Sequence, residues 1–144
     1  MKKIYIVISY TGTSIARIIK LCTKHEYTHV SVALDEELEE LYSFGRHYKY
    51  SVLPAGFVHE GIDIGVYKRF EETKAIVFSK EVTEKQYTKI KYTIKQMEKD
   101  KDKYKFNLLG MAAVQVGKKI SRKNYFYCAE FVKYILKSGR SRYF

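Results

Sequence analysis

Apolar residues along the chain keep two different spacings, and the changes between them divide it into strands and helices. Residues 4–10 form a β-branched and aromatic run that reads as a first strand, and Gly12, Thr13 and Ser14 behind it supply a turn and an N-cap. In the helix that follows, Ile15, Ile18, Ile19 and Cys22 recur at helical spacing and predict one buried face, which makes Cys22 a core residue. Over residues 28–34 the spacing changes to alternation. Val30, Val32 and Leu34 point to the core, and His29, Ser31 and Ala33 to the other face. Asp35, Glu36 and Glu37 read as a polar turn and residues 38–44 as the returning strand of a hairpin. Pairing Leu34 with Leu38 sets Ser43 opposite His29, and a slip of one residue would bring Tyr42 or Phe44 there instead.

Residues 45–61 carry three glycines and the only proline, Pro54, without a clear period, and read as a long loop. Residues 61–68 and 74–79 look like two more strands, which brings the sheet to about five. Thr83 with Gln86 forms a capping-box pattern ahead of a helix whose stripe is Tyr87, Ile90, Ile94 and Met97. Lys85, Lys89, Lys95 and Lys99 fall off that stripe and read as a solvated face. Residues 106–116 suggest a helix of small residues around Gly110, Ala112 and Ala113, ended by the basic segment 118–123. A last helix beginning at Asn124 or Tyr125 keeps Cys128, Val132, Ile135 and Leu136 at helical spacing, with Gly139 as its C′ stop. Cys128 therefore falls in or near the first turn of a helix.

The length of 144 residues suits one domain spanning 1–144, large enough to bury a core without disulfides or a structural metal. With 46% hydrophobic and 30% charged residues the chain has the profile of a packed protein rather than a disordered one. No apolar run approaches the roughly 20 residues that span a bilayer, and the run after Met1, Lys2 and Lys3 stops at Ser9 without a cleavage pattern. Two cysteines are too few for a disulfide framework, so the expected compartment is the reducing cytoplasm. A net charge of +11 favours anionic partners as a class. No cofactor is called for, and oligomeric state is left open.

A thiol is a strong nucleophile only as thiolate, and a helix N-terminus together with a neighbouring imidazole lowers its pKa. Cys128 has the first by position, and gains the second if the helix start packs against the His29 face of the sheet. His29 would then share the thiol proton and later protonate the leaving group, and the Cys128 backbone N–H would donate to the oxyanion. Ser31 and Ala33, the small neighbours of His29, leave room for a cleft.

The segments Thr28-His29-Val30-Ser31-Val32-Ala33-Leu34 and Tyr127-Cys128-Ala129-Glu130-Phe131-Val132 resemble the circularly permuted branch of the papain-like NlpC superfamily, in which the histidine comes first and the cysteine last. The resemblance implies an α+β papain-like fold in permuted order, with an antiparallel sheet packed against helices. It also implies hydrolysis or transfer at an amide, thioester or ester carbonyl, with peptidase or amidase activity foremost. By the match Cys128 carries over as nucleophile, His29 as base and Ser43 as the third polar residue that orients the ring. Many relatives have a carboxylate or amide at that third place, and a serine orients imidazole less strongly. Glu130 braces the helix start. Tyr127 and, from the long loop, Tyr48 and Phe57 are the expected contacts to a peptide or acyl-bearing substrate, with Tyr50 another aromatic of that loop.

Two other readings compete. Cys22, His25 and His29 have spacing that could hold zinc, although a fourth ligand is not apparent. Alternatively, the +11 charge, the fourteen tyrosines and the basic segments 118–123 and 140–142 suit a binding module for nucleic acid or another anionic polymer, with catalysis lost or never present.

Overall fold

The computed structural model describes residues 1–10, 29–46, 55–60, 74–114 and 116–140. Its strands are β1 (Lys2–Tyr10), β2 (His29–Ala33), β3 (Leu41–Arg46), β4 (Ala55–Glu60) and β5 (Lys74–Val82). Among the described residues they pair antiparallel into one five-stranded sheet in the order β4-β3-β2-β1-β5. The described helices are α1 (Glu84–Lys99), α2 (Leu108–Val114) and α3 (Cys128–Ser138). A short parallel pair, β6 (Lys105–Phe106) and β7 (Tyr125–Phe126), brings the entries to α2 and α3 together. The fold class is α+β.

Helices α1 and α3 cover one face of the sheet. Ile4, Val32, Tyr42, Phe44 and Phe57 from the strands meet Ile90, Ile94 and Met97 of α1 and Phe131, Val132 and Ile135 of α3 in a single cluster. Phe44 sits at its centre, with ring centroids of Phe126 and Phe131 each 5.2 Å away and that of Phe57 at 6.0 Å, edge-on. Offset and edge-to-face packing of this kind fits the ring quadrupoles and adds to the burial of apolar area. α1 begins as its sequence predicts: Thr83 Oγ1 accepts from the Gln86 N–H at 3.1 Å and Gln86 Oε1 accepts from the Thr83 N–H at 2.8 Å, satisfying two donors at a helix start. Among the described residues no helix is long and apolar enough to cross a membrane.

Several elements differ from the sequence reading. The loop expected over 45–61 is mostly strand at its two ends: β3 continues to Arg46, and Ala55–Glu60 is β4, paired along its whole length from Arg46↔Ala55 to Leu41↔Glu60. The hairpin connection is longer than expected. Both Asp35 carboxylate oxygens accept backbone N–H groups, from Glu39 at 2.9 Å and Glu40 at 2.8 Å, and Leu38 adopts φ 59 with its side chain buried. Residues 38–40 are thereby held in the turn, and β3 starts at Leu41. The register becomes Ala33↔Leu41 and Val32↔Tyr42, two residues from the expected pairing. A shift of two preserves which side chains share a face, so Ser43 stays on the His29 side. Continued to the end of β2, the register sets Gly45 across from His29.

Helix α2 is shorter than the 106–116 segment, because Phe106 pairs in β6 and Asn107 turns its side chain back to accept the Gly110 N–H at 2.9 Å. α3 starts at Cys128, not at 124 or 125, since Tyr125 and Phe126 belong to β7 and Asn124 has φ 62. Gly139 ends α3 in a right-handed conformation rather than the left-handed one of a C′ glycine. Its missing side chain has a packing reason: a Cβ there would lie 2.7 Å from Ile90 Cδ1. β5 runs three residues beyond Ser79. The helix expected after Ser14 and the strand expected over 61–68 lie outside the described residues.

Candidate active site

The face of the sheet away from α1 and α3 combines apolar with hydroxyl side chains. Val7, Ala33, Leu38 and Leu41 cluster there, and Ser9, Ser31 and Ser43 are fully buried among them. Buried hydroxyls need partners. Those of Ser31 and Ser43 converge on one carboxylate, Glu60 at the end of β4. Ser31 Oγ donates to Glu60 Oε2 and Ser43 Oγ to Glu60 Oε1, both at 2.7 Å. His29, the first residue of β2, brings Nε2 to 2.9 Å from the same Oε1 and 3.1 Å from Ser43 Oγ. The side chains of His29 and Glu60 are only 18% and 14% exposed, so this pairing is shielded from solvent.

Burial by itself would push the Glu60 carboxyl up. The charge and hydrogen bond of His29, with the hydrogen bonds of Ser31 and Ser43, outweigh it and hold the group below the usual carboxylate range. Glu60 is therefore an ionised anchor that accepts from Nε2 and fixes a proton there.

Cys128 opens α3, with Tyr127 in extended conformation as the N-cap. Its half-buried thiol is free. Burial would push the thiol up, but a hydrogen bond with the His29 side chain, the charge of His29, and the backbone N–H groups of Val30 and Ala129 bring it below the ordinary value. The thiol thus meets the same ring that Glu60 and Ser43 hold through Nε2.

The helix start is braced from behind. Glu130 Oε1 accepts the Tyr127 N–H at 3.3 Å and the Asn107 amide at 2.9 Å, and fully buried Asn107 also donates to the Ile120 carbonyl at 3.0 Å. A groove of about 340 Å³ runs along α3 from Ala129, the residue after the cysteine. Val30, Val132 and Leu136 give it an apolar floor, and Lys133, Lys137 and Arg140 a cationic rim.

The residues expected from sequence fare differently. Cys128, His29 and Ser43 come together, with Ser43 acting on the ring in company with Glu60 rather than by itself. Phe57 does not line a substrate loop. It is 4% exposed on β4 and packs on Tyr42, Phe44 and Phe131, because the segment is a strand with that side chain on the core face. Tyr127 is half-buried at the cap, with its hydroxyl pushed up by burial and by the neighbouring Glu130 and Cys128. Tyr48, Tyr50, Cys22 and His25 lie outside the described residues.

Sequence reasoning missed Glu60. The available signal was alternation in Gly56-Phe57-Val58-His59-Glu60, which puts Glu60 on the opposite face from Phe57, and the surrounding glycines and Pro54 obscured it.

Comparison with known proteins is negative. No family model, curated protein or solved structure matches this chain significantly. What the site can do is accordingly read from its own chemistry.

Proposed function

We propose that the protein is a cysteine hydrolase or acyltransferase that works through an acyl–Cys128 intermediate, a peptidase or amidase foremost, on a papain-like domain of permuted order. The observation that carries the reading is the series Cys128, His29, Glu60, in which a thiol with lowered pKa meets an imidazole whose Nε2 is held by a buried carboxylate. The carboxylate also answers the weakness of Ser43 as a sole orienting group, since a charged acceptor stabilises imidazolium where a hydroxyl does so only weakly.

In this mechanism the Cys128 thiolate adds to the carbonyl carbon of an amide or ester, and the carbonyl electrons move onto oxygen. The Cys128 backbone N–H, unpaired within the first turn of α3, donates to that oxyanion. Collapse expels the amine or alcohol, which takes the proton from His29. Water or another acceptor then attacks the thioester, giving its proton back to His29, and Cys128 leaves as thiolate. Glu60 stays ionised throughout and keeps the ring oriented.

The test is acylation by an activated ester such as p-nitrophenyl acetate, read by intact mass and by release of p-nitrophenol. A stoichiometric burst with one acetyl on Cys128, absent in Cys128→Ala and slowed at least about a hundredfold in His29→Ala, is the expected result. Acetylation elsewhere, or an equal burst without Cys128, would overturn the reading.

A further inference from the structure

We infer that α2 and the basic segment after it form a docking surface for an anionic lipid bilayer. Helix α2, Leu-Leu-Gly-Met-Ala-Ala-Val, has no polar side chain. Gly110 and Ala113 seat its inner side, whereas Leu108, Leu109, Val114 and, just beyond it, Val116 are 42%, 53%, 46% and 72% exposed. Single exposed aliphatics are ordinary, but four within nine residues make a patch that water does not favour. The surface is rigidly based. Asn107 ties the helix start to Ile120 and Glu130, and any side chain at Gly110 would collide with the Asn107 amide and the Ile120 carbonyl.

Charge selects the occupant. Between residues 104 and 129 the sequence holds no Asp or Glu, while Lys105, Lys118, Lys119, Arg122 and Lys123 are all exposed. Arg122 stacks over the Tyr125 ring at 3.9 Å, fixing a cation beside an aromatic of the type that prefers the headgroup region. A second copy of the chain would set one cationic segment against another. A polynucleotide would satisfy the cations and leave the aliphatic side chains uncovered, because they offer no ring for a base to stack on. A bilayer with anionic headgroups takes both, the aliphatics entering the acyl boundary and the lysines meeting phosphate and carboxylate. The inference does not depend on the catalytic reading, so its test uses Cys128→Ala protein.

The experiment is co-sedimentation of this full chain with vesicles of phosphatidylcholine, with or without phosphatidylserine, at low and high salt. Binding to the phosphatidylserine vesicles is expected, weakening with salt and by roughly fivefold for each basic residue neutralised among Lys118, Lys119 and Lys123. Leu109→Asp with Val116→Asp, both exposed and so compatible with folding, is expected to abolish it while circular dichroism stays unchanged. No binding to phosphatidylserine vesicles would overturn the proposal. So would binding that survives the double Asp substitution and yields only to charge neutralisation, since that would mark a general polyanion site such as one for nucleic acid.

Discussion

Thiol and carboxylate are coupled through one imidazole, since both are held below their ordinary pKa chiefly against burial and by the same His29 ring. Removing the ring should therefore raise the thiol. In iodoacetamide labelling read by peptide mass, wild-type Cys128 is expected to react well below the unperturbed thiol pKa of about 8.5. In His29→Ala the midpoint should rise, and the rate at neutral pH should fall with the thiolate fraction. Glu60→Gln keeps a hydrogen-bond acceptor but loses the charge that stabilises imidazolium, so its labelling curve should lie between the two. Ser43→Ala should shift it less, because Glu60 still holds Nε2. An unshifted curve in both Glu60→Gln and His29→Ala would remove the electrostatic account of the site. At this scale the sequence made Cys128 and His29 legible, through a helix-start position and an interrupted apolar face. Glu60 was not, since nothing local to an acid among glycines says that two serines and a histidine from neighbouring strands will surround it.

At the scale of elements, the start of α3 depends on contacts that its own sequence does not contain. Asn107 makes hydrogen bonds to Gly110, Ile120 and Glu130 while fully buried, so Asn107→Ala leaves those groups unsatisfied. A loss of about 1–3 kcal/mol in urea unfolding is expected, with slower Cys128 labelling as the helix start loosens. Thr83→Ala, which breaks the α1 capping box at an exposed position, should cost about 1 kcal/mol by the same measurement and leave labelling unchanged. The pair distinguishes a helix that positions the thiol from one that only packs. α1 was readable because a 3.6-residue stripe and a cap are both local patterns. β4 was hidden because its glycines carry turn signals, and only the pairing with β3 made Ala55–Glu60 a strand.

For the whole molecule, pH dependence follows from the buried carboxylate. Its pKa is lower folded than unfolded, so its contribution to stability is present above the unfolded value of about 4.3 and is lost as pH falls through the lower folded value. Chemical unfolding should show stability falling below about pH 4, with a shallower fall in Glu60→Gln. β5 adds a second global property. Among the described residues it is the last strand of the sheet, and Ile76, Val77 and Phe78 are 41%, 47% and 52% exposed along it. Exposed apolar edges promote association on heating. Val77→Lys should reduce light scattering during thermal unfolding and change the unfolding midpoint in urea little.

Among the described residues, the sequence by itself determined which segments are helix or strand where period and cap are local, that β2 presents Val30 and Val32 to one side and His29 to the other, and that Cys128 belongs near a helix start. Those are properties of neighbours along the chain, set by side-chain geometry within a few residues. Tertiary structure alone decided the hairpin register, the strand at Ala55–Glu60, the burial of Phe57, and the meeting of Glu60 with His29. Each depends on which strand lies beside which. An Asp35 turn that lengthens the connection moves the pairing by two residues, and antiparallel pairing of β4 on β3 carries an acid 31 residues from its histidine to within 2.9 Å.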